Sequence, residues 1–112
     1  MKKIEAIIRS SKFDDVKKAL SDIDVNFFTF MEVKGFGRQK HEQVMYRGSV
    51  YDVGYIARMR LEIFAVDDKV GEIVNAICRA AKTGEVGDGK VIVTDIEHIV
   101  RIRTNETSSE AL

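Results

Sequence analysis

The chain has 112 residues, enough for one domain whose core needs no metal or disulfide. Its 18 basic residues balance 18 acidic residues, which argues against binding nucleic acid by bulk charge attraction. One cysteine excludes an internal disulfide, no apolar run approaches the roughly 20 residues of a membrane span, and the start turns charged too early for a signal peptide. We therefore expect a single cytoplasmic domain over residues 1–112, without membrane insertion.

The first two elements are predicted to be a strand and a helix. Residues 2–9 alternate between two sides with a period of two, which is typical of a strand. Residues 11–23 carry apolar side chains at spacings of three and four, which predicts a helix. Ser11 and Asp14 have the spacing of a capping box at the start of that helix.

A second predicted strand leads into a long loop. Residues 26–34 are rich in aromatic and β-branched side chains, which favours a strand, and Gly35 ends it. Residues 37–55 show no settled periodicity. Because a loop beyond about 12–15 residues is usually functional or disordered, we expect the loop between strands 2 and 3 to carry function.

A third strand and a second helix follow the loop. Residues 56–64 alternate cleanly, which indicates a strand. After Asp67 and Asp68, which suit a helix start, apolar residues at spacings of three and four predict a helix that Gly84 ends. Cys78 falls on the apolar face of this helix, so we expect a buried, inert thiol.

The last part of the chain completes the predicted fold. Residues 90–94 and 97–103 both alternate like strands, whereas the polar residues 104–112 have no means of packing themselves and are expected to form a flexible C-terminal segment. Together the elements predict an α+β fold, a ferredoxin-like βαββαβ sandwich with both helices on one face of an antiparallel sheet.

The second face of the predicted sheet mixes charged residues with Ile7, Phe64 and Ile99. A half-apolar face is unfavourable in water, because apolar patches on soluble proteins usually mark interaction sites. We therefore expect a subunit interface to cover this face.

Residues 82–90 form a glycine-rich segment that partly resembles a Walker phosphate loop. Gly84, four further residues, Gly89 and Lys90 have the right spacing, but Val91 stands where Ser or Thr is needed, and the helix precedes the segment rather than following it. We therefore reject an NTPase of that class. The glycines can still turn backbone N–H groups inward to bind an anion, and an ordinary turn after a helix is the alternative.

Arg101 and Arg103 are two residues apart in a predicted strand, so their side chains would project from one face roughly 6–7 Å apart. Because a guanidinium group binds phosphate oxygens through two parallel hydrogen bonds, the pair is a candidate phosphate clamp. The alternative is that these are surface arginines paired with Glu5 or Glu62.

Signals for other functions are weak. Residues 34–37, "KGFG", match the opening of the aromatic signature of RNA-recognition domains, but on the second strand instead of the third. An RNA-binding module is therefore a remote alternative. His41 and His98 have no carboxylate or cysteine at a metal spacing, and nothing resembles a catalytic triad or paired acids. We expect no enzymatic activity.

Four segments, "EVKGFGRQK", "YRG..Y", "TGEVGDGK" and "VRIRT", occur in the order and spacing found in the PII nitrogen-regulatory signal proteins. The chain resembles this family from its first residue to its polar tail. The resemblance implies a homotrimer that binds ATP or ADP in the clefts between subunits and senses 2-oxoglutarate beside an Mg-bound triphosphate. It implies a sensor rather than an enzyme.

The resemblance also assigns residues to the ligands. Those that would surround or bond the adenine are Ile7, Thr29 and Phe64. The nucleotide cleft would further be lined by Gly35, Gly37, Arg38, Gly87, Asp88, Gly89, Lys90, Arg101 and Arg103. Gln39 would help to hold Mg and 2-oxoglutarate, and Arg58 stands where relatives usually have a lysine that grips a carboxylate of 2-oxoglutarate.

The loop 37–55 resembles the T-loop of the family, an arm that rearranges with ligand and docks on an ammonium transporter or another protein of nitrogen metabolism. Tyr51 matches a tyrosine that some relatives have uridylylated or adenylylated, Arg47 matches an arginine that blocks the transporter pore, and Tyr46 lies beside it. A paralogue that senses another small ligand or partner is the alternative, because His41 and Arg58 depart from the usual glycine and lysine.

Overall fold

The computed structural model describes residues 1–36, 43–46, 49–52 and 55–112. Its helices and strands are β1 (Lys2–Arg9), α1 (Phe13–Asp22), β2 (Thr29–Phe36), β3 (Gln43–Tyr46), β4 (Ser49–Asp52), β5 (Tyr55–Ala65), α2 (Asp67–Ala81) and β6 (Gly89–Asp95). Short 3₁₀ helices occupy Ser10–Lys12 and Ser108–Ala111. Four strands form an antiparallel sheet in the order β2-β5-β1-β6, which confirms the predicted α+β, ferredoxin-like fold.

Both helices cover one face of the sheet, as predicted. In the β1–β5 register Ile4 lies opposite Ile63 and Ala6 lies opposite Leu61, so these side chains share that face. They are buried together with apolar residues of both helices, namely Val16, Leu20, Ile73, Ile77 and Ala81. The side chains between them on each strand therefore point to the second, uncovered face.

The predicted capping box is wrong. Lys12, not Ser11, is the N-cap of α1, and it makes no side-chain capping hydrogen bond. The chain leaves β1 through the 3₁₀ turn Ser10–Lys12, which places Ser11 before the cap position. Two carboxylates of the first helical turn, Asp14 and Asp15, lie where the helix dipole favours negative charge.

The predicted strand over residues 97–103 is also wrong. Residues 97–103 add no strand to the described sheet β2-β5-β1-β6 and instead turn back on the tail. A single β-bridge joins Val100 to Thr107, and the Asn105 backbone N–H donates to the Arg101 carbonyl at 2.8 Å. Ile99 therefore does not belong to the second face of the sheet, where Ile7 and Phe64 do lie.

Part of the predicted irregular loop is regular. Gln43–Tyr46 pairs antiparallel with Ser49–Asp52, with Gln43 opposite Asp52 and Tyr46 opposite Ser49. Each strand has only four residues, which is too short for a period of two to stand out in the sequence.

Cys78 is exposed, which corrects the predicted buried thiol. The buried residues of α2 are Ile73, Ile77 and Ala81, four residues apart. Cys78 is one residue past Ile77, about 100° around the helix, and so lies at the side of α2, outside the buried stripe.

Candidate functional site

The turn between α2 and β6, residues 82–89, is shaped by glycine. Gly84, Gly87 and Gly89 all have positive φ, at 89°, 103° and 99°. Gly87 and Gly89 also lie close to other groups, and a Cβ added to Gly89 would come within 1.7 Å of the carbonyl oxygen of Ile7. Only glycine therefore allows the turn to pack directly against β1.

The carboxylate of Asp88 lies at the centre of this turn. It accepts hydrogen bonds from the backbone N–H groups of Thr83 and Gly84, both at 2.9 Å, from the Thr83 hydroxyl, and from Arg9 Nε at 3.1 Å. The hydrogen bonds from Thr83, followed by those from Gly84 and Arg9, hold the pKa of Asp88 well below its usual value. Asp88 is therefore an ionised acceptor around which the turn folds.

Two arginines bind the same turn from the uncovered face of the sheet. Arg9 and Arg58 are register partners on β1 and β5. Arg9 Nη2 donates to the Val86 carbonyl at 2.7 Å, and Arg58 Nη1 donates to the Gly87 carbonyl. A Cβ on Gly87 would lie 3.1 Å from Arg58 Nη2 and 3.2 Å from Arg9 Nη2, so the two guanidinium groups flank this glycine.

Lys90 extends the cationic region along β6. It lies opposite Ile7 in the β1–β6 register, on the same face as Arg9 and Arg58. Among the described residues, three cationic side chains and the carboxylate of Asp88 thus lie at this end of the sheet. Such an arrangement can bind phosphate or carboxylate groups, since arginine offers paired donors and lysine a point charge.

The structure brings together six of the predicted ligand residues at this end of the sheet: Ile7, Arg58, Gly87, Asp88, Gly89 and Lys90. Gly35 lies opposite Ile56, two residues from Arg58 along β5. Phe64 lies opposite Lys3, four positions along β1 from Ile7 and thus about 13 Å away at roughly 3.3 Å per residue. Thr29, opposite Glu62, is also remote from the turn.

Arg101 and Arg103 are not on a strand, so the predicted spacing on one face does not form. Arg101 donates to a Glu106 carboxylate oxygen at 3.2 Å and to the Leu112 backbone oxygen at 2.8 Å. Arg103 is exposed in the turn that follows. The alternative that they pair with Glu5 or Glu62 is not seen among the described residues, where Arg60 and Lys3 occupy those carboxylates.

The remaining predicted residues lie in or next to the loop 37–55. Gly37, Arg38, Gln39, His41 and Arg47 lie outside the described residues. Tyr46 and Tyr51 belong to β3 and β4. The predicted metal ligand Gln39 is thus not tested, and in the part of the chain that is described no three His, Cys, Asp or Glu side chains form a metal-binding group.

Sequence reasoning did not identify Arg9 and Thr83. Arg9 ends β1 as one more charged residue of an alternating strand, and only the strand register reveals that it faces Arg58. Thr83 precedes Asp88 by five residues, a spacing at which a hydroxyl and a carboxylate can close a turn, which was an available signal.

Comparisons with known proteins agree with this architecture. The family described as "Nitrogen regulatory protein P-II" matches residues 1–106. Proteins named "Nitrogen regulatory protein P-II" from Pasteurella multocida (strain Pm70), Porphyra purpurea and Pyropia yezoensis are 46%, 48% and 49% identical to this chain, each over the whole of both sequences. No described helix is long and apolar enough to cross a membrane. The chain therefore belongs to the family of nitrogen regulatory P-II signal proteins.

Proposed function

We propose that this protein is a homotrimeric sensor of ATP, ADP and 2-oxoglutarate that controls a partner of nitrogen metabolism, such as an ammonium transporter, through the loop 37–55. One observation carries the proposal. A glycine turn built around an ionised Asp88 meets three cationic side chains at the end of the sheet from which that loop departs.

The nucleotide phosphates would bind at this turn. Lys90 offers a positive point charge. Gly87 and Gly89 offer a backbone without side chains that packs closely on its neighbours, and such a backbone can present its N–H groups to a polyphosphate. Asp88 is satisfied by four donors, so its negative charge is compensated inside the turn. Bound Mg would offset the remaining phosphate charge, with Gln39 as its protein ligand.

The adenine would bind between subunits. Ile7 and Phe64 lie on the uncovered face, where Phe64, Met31 and Ile92 are 46%, 50% and 41% exposed. The Nε atom of Arg60, on the same face, is buried without a hydrogen-bond partner among the described residues. A second copy of the chain can cover the apolar side chains and supply an acceptor, which supports a trimer with shared clefts.

In such an assembly, residues remote within one subunit can meet across an interface. Phe64 and Thr29 of one subunit would contact the adenine while the glycine turn of its neighbour holds the phosphates. Arg101 and Arg103 would complete the phosphate contacts, for which Arg101 exchanges its bond with Glu106 for one with the nucleotide.

The loop 37–55 would transmit ligand binding to the partner. β2 and β5 are paired up to Phe36 and Tyr55, three positions beyond the pair of Val33 and Arg58. The arm therefore departs close to the cationic end of the sheet. A ligand there can change the arm only as far as it binds one arm conformation better than another. Arg47, Tyr46 and Tyr51 would then contact the partner, and Tyr51 is the candidate modification site.

Isothermal titration calorimetry with ATP and ADP tests the nucleotide assignment. We expect saturable binding of both, with one site for each subunit. Heat changes no larger than dilution, at nucleotide concentrations well above those of a cell, would remove the assignment.

Titration of 2-oxoglutarate with and without Mg-ATP tests the second ligand. We expect binding only when Mg-ATP is present. Nucleotide binding without any binding of 2-oxoglutarate would favour the alternative, a paralogue that senses another small ligand or partner. Arg58 supports this alternative, because its guanidinium group already donates to the Gly87 carbonyl.

A further inference from the structure

We infer that Arg58 is a positioning residue that, together with Arg9, holds the glycine turn 82–89 in its ligand-receiving shape before any ligand arrives. Only the expected effect on ATP affinity rests on the proposed function; the effect on the shape of the turn does not. It assigns Arg58 an action through the turn itself, independent of any contact with a dicarboxylate.

Burial of Arg58 is the first support. The residue is charged yet only 8% exposed, and it is the one buried charged residue in the described part of the chain. Burying a guanidinium is unfavourable unless its donors are satisfied. Arg58 Nη1 meets this need through the Gly87 carbonyl, so the turn stabilises the arginine and the arginine stabilises the turn.

The second support is that the two arginines hold different parts of the turn. Arg9 binds the Asp88 carboxylate, which in turn accepts from the Thr83 and Gly84 backbone N–H groups. Arg9 Nη2 and Arg58 Nη1 also bind two successive carbonyls, those of Val86 and Gly87. Both the start and the middle of the turn are thereby attached to neighbouring strands of the sheet.

The shape of the guanidinium explains why residue 58 affects the turn. Its fork lets Nη1 donate to the Gly87 carbonyl while Nη2 lies 3.1 Å from the position of a Gly87 Cβ. Lysine offers one nitrogen, so it can replace the donation to the Gly87 carbonyl but leaves the space beside Gly87 that Nη2 fills. Arg58→Lys should therefore keep the charge and a single donor, and preserve the turn only in part.

Amide hydrogen exchange in the ligand-free protein tests the inference directly. The readout is the exchange of the Thr83, Gly84 and Glu85 amides, which donate to Asp88 and to the Thr83 hydroxyl. We expect Arg58→Ala to speed their exchange about tenfold or more, as loss of a charge-assisted hydrogen bond implies, with Arg58→Lys between it and the wild type. Arg79→Ala, at an exposed position of α2, is the matched control and should leave these amides unchanged.

ATP titration without 2-oxoglutarate provides the functional readout. We expect Arg58→Ala to weaken ATP binding about tenfold, Arg58→Lys to restore part of the loss, and Arg79→Ala to bind like the wild type. Weaker binding with unchanged exchange would mean that Arg58 contacts the ligand, and unchanged exchange together with unchanged binding would mean that it does nothing for the turn. Either result overturns the inference.

The two proposals can fail separately. If the wild type binds no nucleotide but Arg58→Ala still speeds exchange at the three amides, the proposed function is wrong and the positioning role stands. If Arg58→Ala does not fold, Arg58→Lys and Arg58→Met decide, because both keep a long side chain at position 58 and methionine removes every donor to the Gly87 carbonyl. Exchange unchanged in those two variants would overturn the inference.

Discussion

Gly89 packs so closely on Ile7 that a Cβ added to Gly89 would lie 1.7 Å from the Ile7 carbonyl oxygen, and 2.8 Å from its carbonyl carbon. Real side chains do not approach backbone atoms at these distances. The contact joins the first residue of β6 to β1 and thereby places the end of the turn on the sheet. The position of the candidate anion site depends on this one backbone contact.

Gly89→Ala should therefore destabilise the protein by about 2–4 kcal/mol, because it combines a backbone clash with a positive φ of 99°. Urea denaturation at fixed protein concentration measures the change. Gly71→Ala is the control, since its Cβ meets nothing within 4 Å inside α2, and it should stabilise by about 0.5–1 kcal/mol. Equal stability of the two variants would contradict the packing described for Gly89.

The ionised carboxylate of Asp88 should make the stability of the folded protein depend on pH. Its folded-state pKa lies below the usual value of 3.8, chiefly because of the hydrogen bonds from Thr83. A depressed pKa contributes stability that is fully present above pH 3.8 and is lost as the pH falls through the folded-state pKa. The melting temperature of the wild type should thus exceed that of Asp88→Asn by a constant amount at neutral pH and converge with it below pH 3.8. A difference that widens in acid would refute this role.

Arg103→Ala should weaken ATP binding by roughly 1.5–3 kcal/mol, the range for hydrogen bonds to charged groups. The reason is that Arg103 is exposed within its own subunit, where its donors are accessible to a nucleotide in the neighbouring cleft. Calorimetry measures the change, with Arg79→Ala as the control for loss of a surface charge. Unchanged affinity would place the phosphate contacts elsewhere.

Met31→Lys should dissociate the proposed trimer. Met31 lies opposite Arg60 on the uncovered face and is half exposed in the single subunit, so a lysine there would bury a further cation beside Arg60 against a second copy. Sedimentation velocity at micromolar concentration should show mainly monomer, whereas Asn75→Lys, on the exposed side of α2, should keep the assembly of the wild type. Sedimentation of the wild type as a monomer would contradict the proposed trimer.

The order and type of the main elements were predictable because they depend on local periodicity. Alternation in β1 and β5 and helical spacing in α2 are strong enough to predict these elements within a few residues, and aromatic and β-branched side chains indicated β2. The same local reasoning failed at residues 97–103, which alternate as a strand should. The outer edge of β6 is unpaired in the described sheet, yet Val100 pairs with Thr107 of the tail instead, and alternation alone does not encode the choice of partner.

The glycine turn and Lys90, which mark a candidate anion site, were determined by the sequence itself, because their residue types limit what they can bind. Tertiary structure alone decided which charges meet. Arg9 faces Arg58 through strand register, and Asp88 gathers donors from both the turn and β1. These contacts depend on distances between residues far apart in the chain, and no local periodicity encodes such distances.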